Sequence, residues 1–191
     1  MEALLTSTAV VALAEIGDKT QLLAIVLATR FRKPMPIVAG IFAATIANHF
    51  LAALVGSQVA YILDGQWFRY AIAVSFIAMA AWTLVPDKLD DEDEKPARFG
   101  AFITTLIAFF LVEMGDKTQV ATVALGARFH DVFAVTTGTT LGMMIANVPA
   151  VILGHEVLKY VPLKIVRTIA AVLFLVIGLW VLGQTAHWFG A

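Results

Sequence analysis

The stretch AEIGDKTQ, Ala14 to Gln21, sets Glu, Asp and Lys inside an apolar run, and VEMGDKTQ, Val112 to Gln119, does the same 98 positions later. The offset holds far beyond the motif. It pairs Glu15 with Glu113, Gly17 with Gly115, Asp18 with Asp116, Lys19 with Lys117, Thr20 with Thr118 and Gln21 with Gln119. Further along it pairs Arg30 with Arg128, Phe31 with Phe129, Gly40 with Gly138 and Gly56 with Gly154. Agreement over that many positions marks the duplication of a whole unit. Any fold for this chain must therefore bury the same set of charges twice, in two copies of one design.

The medium is set by composition. Of 191 residues, 60% are hydrophobic and 14% charged, well above the roughly half-apolar make-up of soluble domains. Apolar runs of about the ~20 residues that cross a bilayer fall at 3–29, 35–62, 67–86, 99–127, 131–158 and 163–188. The expected fold is an all-α integral membrane protein with six transmembrane helices. It divides into a three-helix repeat over 1–86, an acidic linker over 87–98 (DKLDDEDEKPAR, read as a solvated, flexible connection) and a second three-helix repeat over 99–191. Three spans per half is an odd number, so the second copy enters the membrane from the opposite face. That is an inverted repeat, an architecture of secondary transporters whose site lies near the midplane between the repeats.

Orientation follows from the basic residues. One side carries Arg30, Arg32, Lys33, Lys88, Lys95, Arg98, Lys159, Lys164 and Arg167, and the other only Arg69 and Arg128. The linker is thus expected in the cytoplasm and both termini outside, in the cell inner (plasma) membrane. Ala12-Leu13-Ala14 has the form of a signal cleavage site, but the preceding segment carries Glu2 in place of basic residues, so the first span is read as uncleaved.

The midpoints of the first and fourth spans fall at the motifs. A charge at bilayer centre costs about 3 kcal/mol on insertion scales, so six unpaired charges would cost on the order of 15 to 20 kcal/mol. Helical spacing sets Glu15, Asp18 and Lys19 on one face, while Gly17 and Gly115 offer backbone hinges where the helix can unwind. Brought face to face, Glu15, Asp18, Glu113 and Asp116 with Lys19 and Lys117 sum to two negative charges, the complement of a divalent cation. With oxygen ligands alone the ion is hard: Ca²⁺, Mg²⁺ or Mn²⁺. Gln21, Gln119, Thr20 and Thr118 can add neutral oxygens to the site or support its ligands, although threonine falls on the opposite helical face from Glu, where a backbone bond is the alternative.

When the ion leaves, crowded carboxylates in a low dielectric cannot all stay ionised, so a proton takes its place. Asp18 and Asp116 are read as direct ligands, and Glu15 and Glu113 as ligands that also carry the exchanged proton. Lys19 and Lys117 serve as counter-ions that occupy the emptied site. The plain alternative, each acid pairing with its own Lys to fix helix register, leaves two carboxylates over.

Other polar residues carry weaker signals. Asn48, His49 and Asn147 lie within the second helix of each half, either as helix-to-helix hydrogen bonds or as support and gating beside the site. Gly40, Ala44 and Asn48, with Gly138, Gly142 and Ala146, space small residues for close packing. Ser75, Thr83, Thr168 and Gln184 read as packing or interfacial residues, His155 and Glu156 as exposed at a span end, and Trp67, Trp82, Trp180 and Trp188 as interfacial anchors.

Several classes are excluded. No cysteine means no disulfide or thiolate site, no basic cluster invites nucleic acid, and no H-E-x-x-H, G-x-S-x-G or Cys-His pair suggests a hydrolase. A cation channel using the same carboxylates is the nearest rival; an aspartyl-type intramembrane protease is a more distant one.

The duplicated motif resembles the family defined by two copies of E-x-G-D-[KR]-[ST], which includes bacterial manganese exporters of the MneA type and Golgi manganese and calcium transporters. The resemblance spans essentially the whole chain. It implies cation/proton antiport with Mn²⁺ as substrate and Ca²⁺ as the main rival. By motif position it gives functional weight to Glu15, Gly17, Asp18, Lys19 and Thr20 and to Glu113, Gly115, Asp116, Lys117 and Thr118. No prosthetic group is implied; the partners are Mn²⁺ or Ca²⁺, H⁺ and the lipid bilayer, and a homo-oligomer is compatible with the sequence but not required by it.

Overall fold

A computed structural model describes residues 1–63, 65–85, 99–154 and 162–186. The acidic linker, His155, Glu156, Lys159 and Trp188 lie outside the described residues. Among the described residues the fold is all-α. The helices are α1 (Glu2–Glu15), α2 (Lys19–Phe31), α3 (Pro34–Ile62), α4 (Gln66–Thr83), α5 (Ala101–Glu113), α6 (Lys117–Phe129), α7 (Val132–Leu153) and α8 (Leu163–Thr185). By length and composition α3, α7 and α8 can each cross a membrane. Large apolar side chains on their outer faces, among them Phe42, Val55, Val172, Val176 and Leu179, are exposed. Such a surface suits lipid and not water.

The expected continuous helices over 3–29 and 99–127 are each broken at the motif. At the first break Ile16 is extended (φ −64°, ψ 114°), Gly17 takes φ +80°, and Asp18 (φ −80°, ψ 168°) starts the next helix as its N-cap. At the second, Met114 (φ −66°, ψ 118°), Gly115 (φ +79°) and Asp116 (φ −77°, ψ 163°) repeat the path within a few degrees. A positive φ is open to glycine and strained for other residues. The half-helices, at 13 or 14 residues, are each about 20 Å long and too short to span the ~30 Å hydrocarbon core alone. The duplication extends to the far ends of α2 and α6, where Arg32 (φ 51°) and His130 (φ 55°) close the helices in left-handed conformation, donating backbone N–H to Ala28 and Gly126 carbonyls.

Packing follows the same pairing. α1 lies along α7 as α5 lies along α3, and α3 packs on α6 as α7 packs on α2. The small-residue spacing permits the approach: a Cβ on Gly138 would lie 2.5 Å from the Leu4 carbonyl oxygen, and one on Gly142 2.7 Å from that of Thr8. Equivalent helices also meet each other, α3 on α7 and α4 on α8, with the equivalent rings Phe76 and Phe174 6.3 Å apart and both buried. The α4–α8 pair makes its main further contacts with α1 and α6.

Candidate functional site

Each break is held by the glutamine four residues beyond its glycine. The Gly17 N–H donates to Gln21 Oε1 at 2.8 Å, and the Gly115 N–H to Gln119 Oε1 at 2.7 Å. The amide ends tie the breaks to the neighbouring long helices: Gln21 Nε2 donates to the Ala146 carbonyl at 2.9 Å, and Gln119 Nε2 to Asn48 Oδ1 at 2.7 Å. Asn48 in turn donates to the Phe110 carbonyl at 3.3 Å. A tight turn completes each break, with Asp18 N–H on the Glu15 carbonyl (3.0 Å) and Asp116 N–H on that of Glu113 (3.1 Å). Neither Asp uses its side chain to cap its own helix.

The ammonium groups cross between motifs. Lys117 Nζ is 2.7 Å from Asp18 Oδ1, and Lys19 Nζ is 3.2 Å from Asp116 Oδ1. Between these pairs Glu15 and Glu113, related by the repeat, are both fully buried. Glu15 accepts hydrogen bonds from Thr20 of its own motif and Thr118 of the other. Neither oxygen of Glu113 has a hydrogen-bond partner among the described residues; His49 Nε2 lies 3.8 Å from its Oε2. Oxygens of Glu15, Glu113 and Asp116 lie within 4.8 Å of one another, close enough to share one metal ion.

Several sequence expectations look different in three dimensions. Because the helices break after Glu15 and Glu113, the triplet of Glu, Asp and Lys is not one helical face. Glu15 ends α1, whereas Asp18 and Lys19 begin α2. The same break decides between the two readings of threonine: Thr20 and Thr118 both donate to the Glu15 carboxylate and are not confined to backbone bonds. Own-motif pairing of acid and lysine gives way to the crossed pairs. Gln21 and Gln119 spend their amides bracing the breaks, and ligation by either would compete with the glycine N–H. Asp18 is engaged by Lys117 and stands outside the three mutually close carboxylates. Asn147 donates to the Met143 carbonyl at 3.1 Å within its own helix.

A helical membrane protein that gathers acids and lysines at two matched helix breaks has the charge pattern of a cation transporter. The chain belongs to the divalent cation/proton antiporter GDT1 family, whose pattern matches residues 3–91 and 101–188, one segment per repeat. It is 51% identical, over 94% of its length and 90% of the relative's, to a Vibrio cholerae protein named "Putative manganese exporter". It is 28% identical to GDT1-like protein sll0615 of Synechocystis over 86% of this chain and 88% of that one, and 28% identical to GDT1-like protein 3 of Oryza sativa subsp. indica over 91% and 71%. No solved structure matches the chain.

Proposed function

We propose that the protein is a secondary exporter that carries Mn²⁺, and Ca²⁺ less readily, out of the cytoplasm in exchange for protons. In this reading the membrane is crossed six times, by α1 with α2, by α3, by α4, by α5 with α6, by α7 and by α8. The repeats 1–86 and 99–191 are inverted with respect to each other, both termini are outside, and the acidic linker is cytoplasmic in the cell inner membrane.

The observation that carries the reading is the charge arrangement. Lys117 lies on Asp18 and Lys19 on Asp116, which leaves two buried carboxylates, Glu15 and Glu113, opposite each other. Two negative charges in a low-dielectric centre match one divalent cation. Glu15, Glu113 and the second oxygen of Asp116 are the ligands in this state, and Asp18 joins them when Lys117 withdraws. On release, protons neutralise the glutamates and the lysines remain with the aspartates, so the centre is never left with a large net charge. Mn²⁺ is favoured by the name of the Vibrio cholerae relative and by the imidazole of His49 beside Glu113, since nitrogen donors favour transition metals over Ca²⁺.

The test is flux into proteoliposomes, with Mn²⁺ entry and internal pH followed together under an imposed proton gradient for wild type, Asp18→Asn and Glu113→Gln. Uphill Mn²⁺ movement matched by opposite proton movement, and lost in both variants, is the expected result. Mn²⁺ flux that runs only downhill without a proton signal would make the protein a channel. Wild-type flux in both variants would move the site elsewhere.

A further inference from the structure

Where α3 and α6 end and α4 begins, beside the C-terminal turn of α8, lies a cavity of about 490 Å³. Its polar lining is Tyr61, Arg69, Arg128, His130, Gln184 and Thr185, over a floor that includes the buried Ile72 and Val181. Arg69 and Arg128 are the two basic residues that charge counting isolates on one side of the membrane, and they converge here. No carboxylate lines the cavity among the described residues; the nearby Asp131 spends Oδ1 on the Ala134 N–H at the start of α7, 2.9 Å away.

We propose that this cavity binds a phosphate group, either the headgroup of an anionic phospholipid or inorganic phosphate. The two arginines reach it by different routes. Arg128 is fixed on the wall by a 3.1 Å bond from Nη2 to Gln184 Oε1, with its guanidinium 5.5 Å from the Phe129 ring centre. Arg69 is the repeat equivalent of Arg167, which donates to the Gly17 carbonyl at 3.2 Å and so braces the first helix break. Arg69 makes no such bond to the second break. It turns instead into the cavity, and into an adjoining one of about 240 Å³ that shares Gln184 and Thr185.

Two guanidinium groups and an imidazole over an apolar floor form a bidentate-capable anion cradle and repel the cation that the buried centre would carry. Depth in the membrane favours a lipid. Tyr61 on the cavity wall and Trp67, next in sequence to its Phe68, are 83% and 87% exposed, as aromatic residues are at headgroup level, and a lipid phosphate would enter sideways with its chains along exposed Ile62 and Leu63.

The experiment is thermal unfolding and native mass spectrometry of the full-length protein in uncharged detergent. The probes are inorganic phosphate, short-chain phosphatidylglycerol and the phosphate-free diacylglycerol of the same chains. Wild type should be stabilised by the phospholipid and not by diacylglycerol, and Arg69→Gln should weaken binding about tenfold, as expected for one charge-assisted contact. Arg30→Gln, at the repeat equivalent of Arg128 and away from the cavity, should bind as wild type. Stabilisation by phosphatidylglycerol but not phosphate assigns the headgroup, and stabilisation by phosphate alone assigns the free ion; either supports the site. Equal response to diacylglycerol and phosphatidylglycerol, or unchanged binding in both Arg69→Gln and Arg128→Gln, overturns it. Arg69→Gln removes no internal hydrogen bond found among the described residues, so the test does not depend on the bonded Arg128.

Discussion

The crossed ion pairs make a quantitative claim that can be separated from transport. At an effective dielectric near 20, attraction across 2.7 Å for Asp18–Lys117 and 3.2 Å for Asp116–Lys19 differs by only about 1 kcal/mol. Burial, not distance, must therefore distinguish them. Lys117 is 3% exposed with Asp18 at 0%, whereas Lys19 is 24% exposed. Removing Lys117 as Lys117→Met leaves the Asp18 charge in a dry site and should cost about 3–5 kcal/mol, the range for breaking one side of a buried pair. Lys19→Met leaves Asp116 beside the space that admits water to Lys19, and should cost about 1–2 kcal/mol, between the exposed and buried ranges.

A double-mutant cycle with Asp18→Asn should then return a coupling of about 2 kcal/mol or more for Lys117 and well under that for Lys19, although Lys19 is its neighbour in sequence. The assay is reversible unfolding in mixed micelles, which reads stability whether or not the variants move ions. Equal losses for the two lysine variants, or stronger coupling of Asp18 to Lys19 than to Lys117, would refute the crossed arrangement.

Gly17→Ala should unfold at a lower temperature than Gly115→Ala. Both pay about 1–2 kcal/mol for a side chain at positive φ, but only at Gly17 would a Cβ meet another residue, 2.6 Å from Leu163 Cδ2, and Leu163→Ala should recover that extra loss. Thr118→Val, which removes the donor that crosses to Glu15, should cost about 1.5–3 kcal/mol; Thr122→Val, whose hydroxyl bonds the Thr118 carbonyl of its own helix, should cost about 1 kcal/mol or less. His49→Asn installs the residue of the equivalent position 147 and should lower the ratio of Mn²⁺ to Ca²⁺ flux about tenfold while leaving proton coupling intact. The chain has no cysteine, so single Cys probes report cleanly: Met114→Cys, at a side chain 57% exposed, should react faster with a membrane-permeant thiol reagent than Ile16→Cys, and adding Arg167→Gln should narrow the gap.

The duplication, the apolar spans and the residues of the motif could be read from the chain because they are patterns of identity and period. Expected limits of 35–62 for the second span meet Pro34–Ile62 in the structure, since proline is at home in the first turn of a helix. Of the fifth span, expected over 131–158, the helix Val132–Leu153 closes at Gly154 (φ +60°), and positions 155–158 lie outside the described residues. Gly17 could be seen as a hinge but not as a certain break, because glycine also occurs in intact membrane helices. Everything downstream of that choice was hidden. A continuous helix sends Thr20 away from Glu15, and a broken one brings them together. Partner choice was hidden for a different reason: Asp18 and Lys19 are adjacent in sequence, yet adjacent helical side chains do not face each other, so each charge looks to the other repeat.

The differences between the repeats matter as much as the likeness. In an exporter built on inverted repeats, as proposed above, identical halves would make the two conformations generated by exchanging their roles equal in energy, and no ligand-free preference could arise. The motifs are nearly identical, but their surroundings are not. Position 48 is Asn where 146 is Ala, so one latch ends on a side chain and the other on backbone. Position 49 is His where 147 is Asn, so Glu113 faces an imidazole that Glu15 lacks. Position 65 is Gly where 163 is Leu, and Leu163 with Arg167 covers the first break, while among the described residues beyond its chain neighbours nothing lies within 4 Å of a Cβ on Gly115. Differences of this kind cost little individually, but a bias of a few kcal/mol is enough to hold a two-state bundle largely in one form. For the proposed exporter, the duplicated residues would define a centre that either repeat could complete, and the unmatched residues around it would decide which side of that centre is closed at rest.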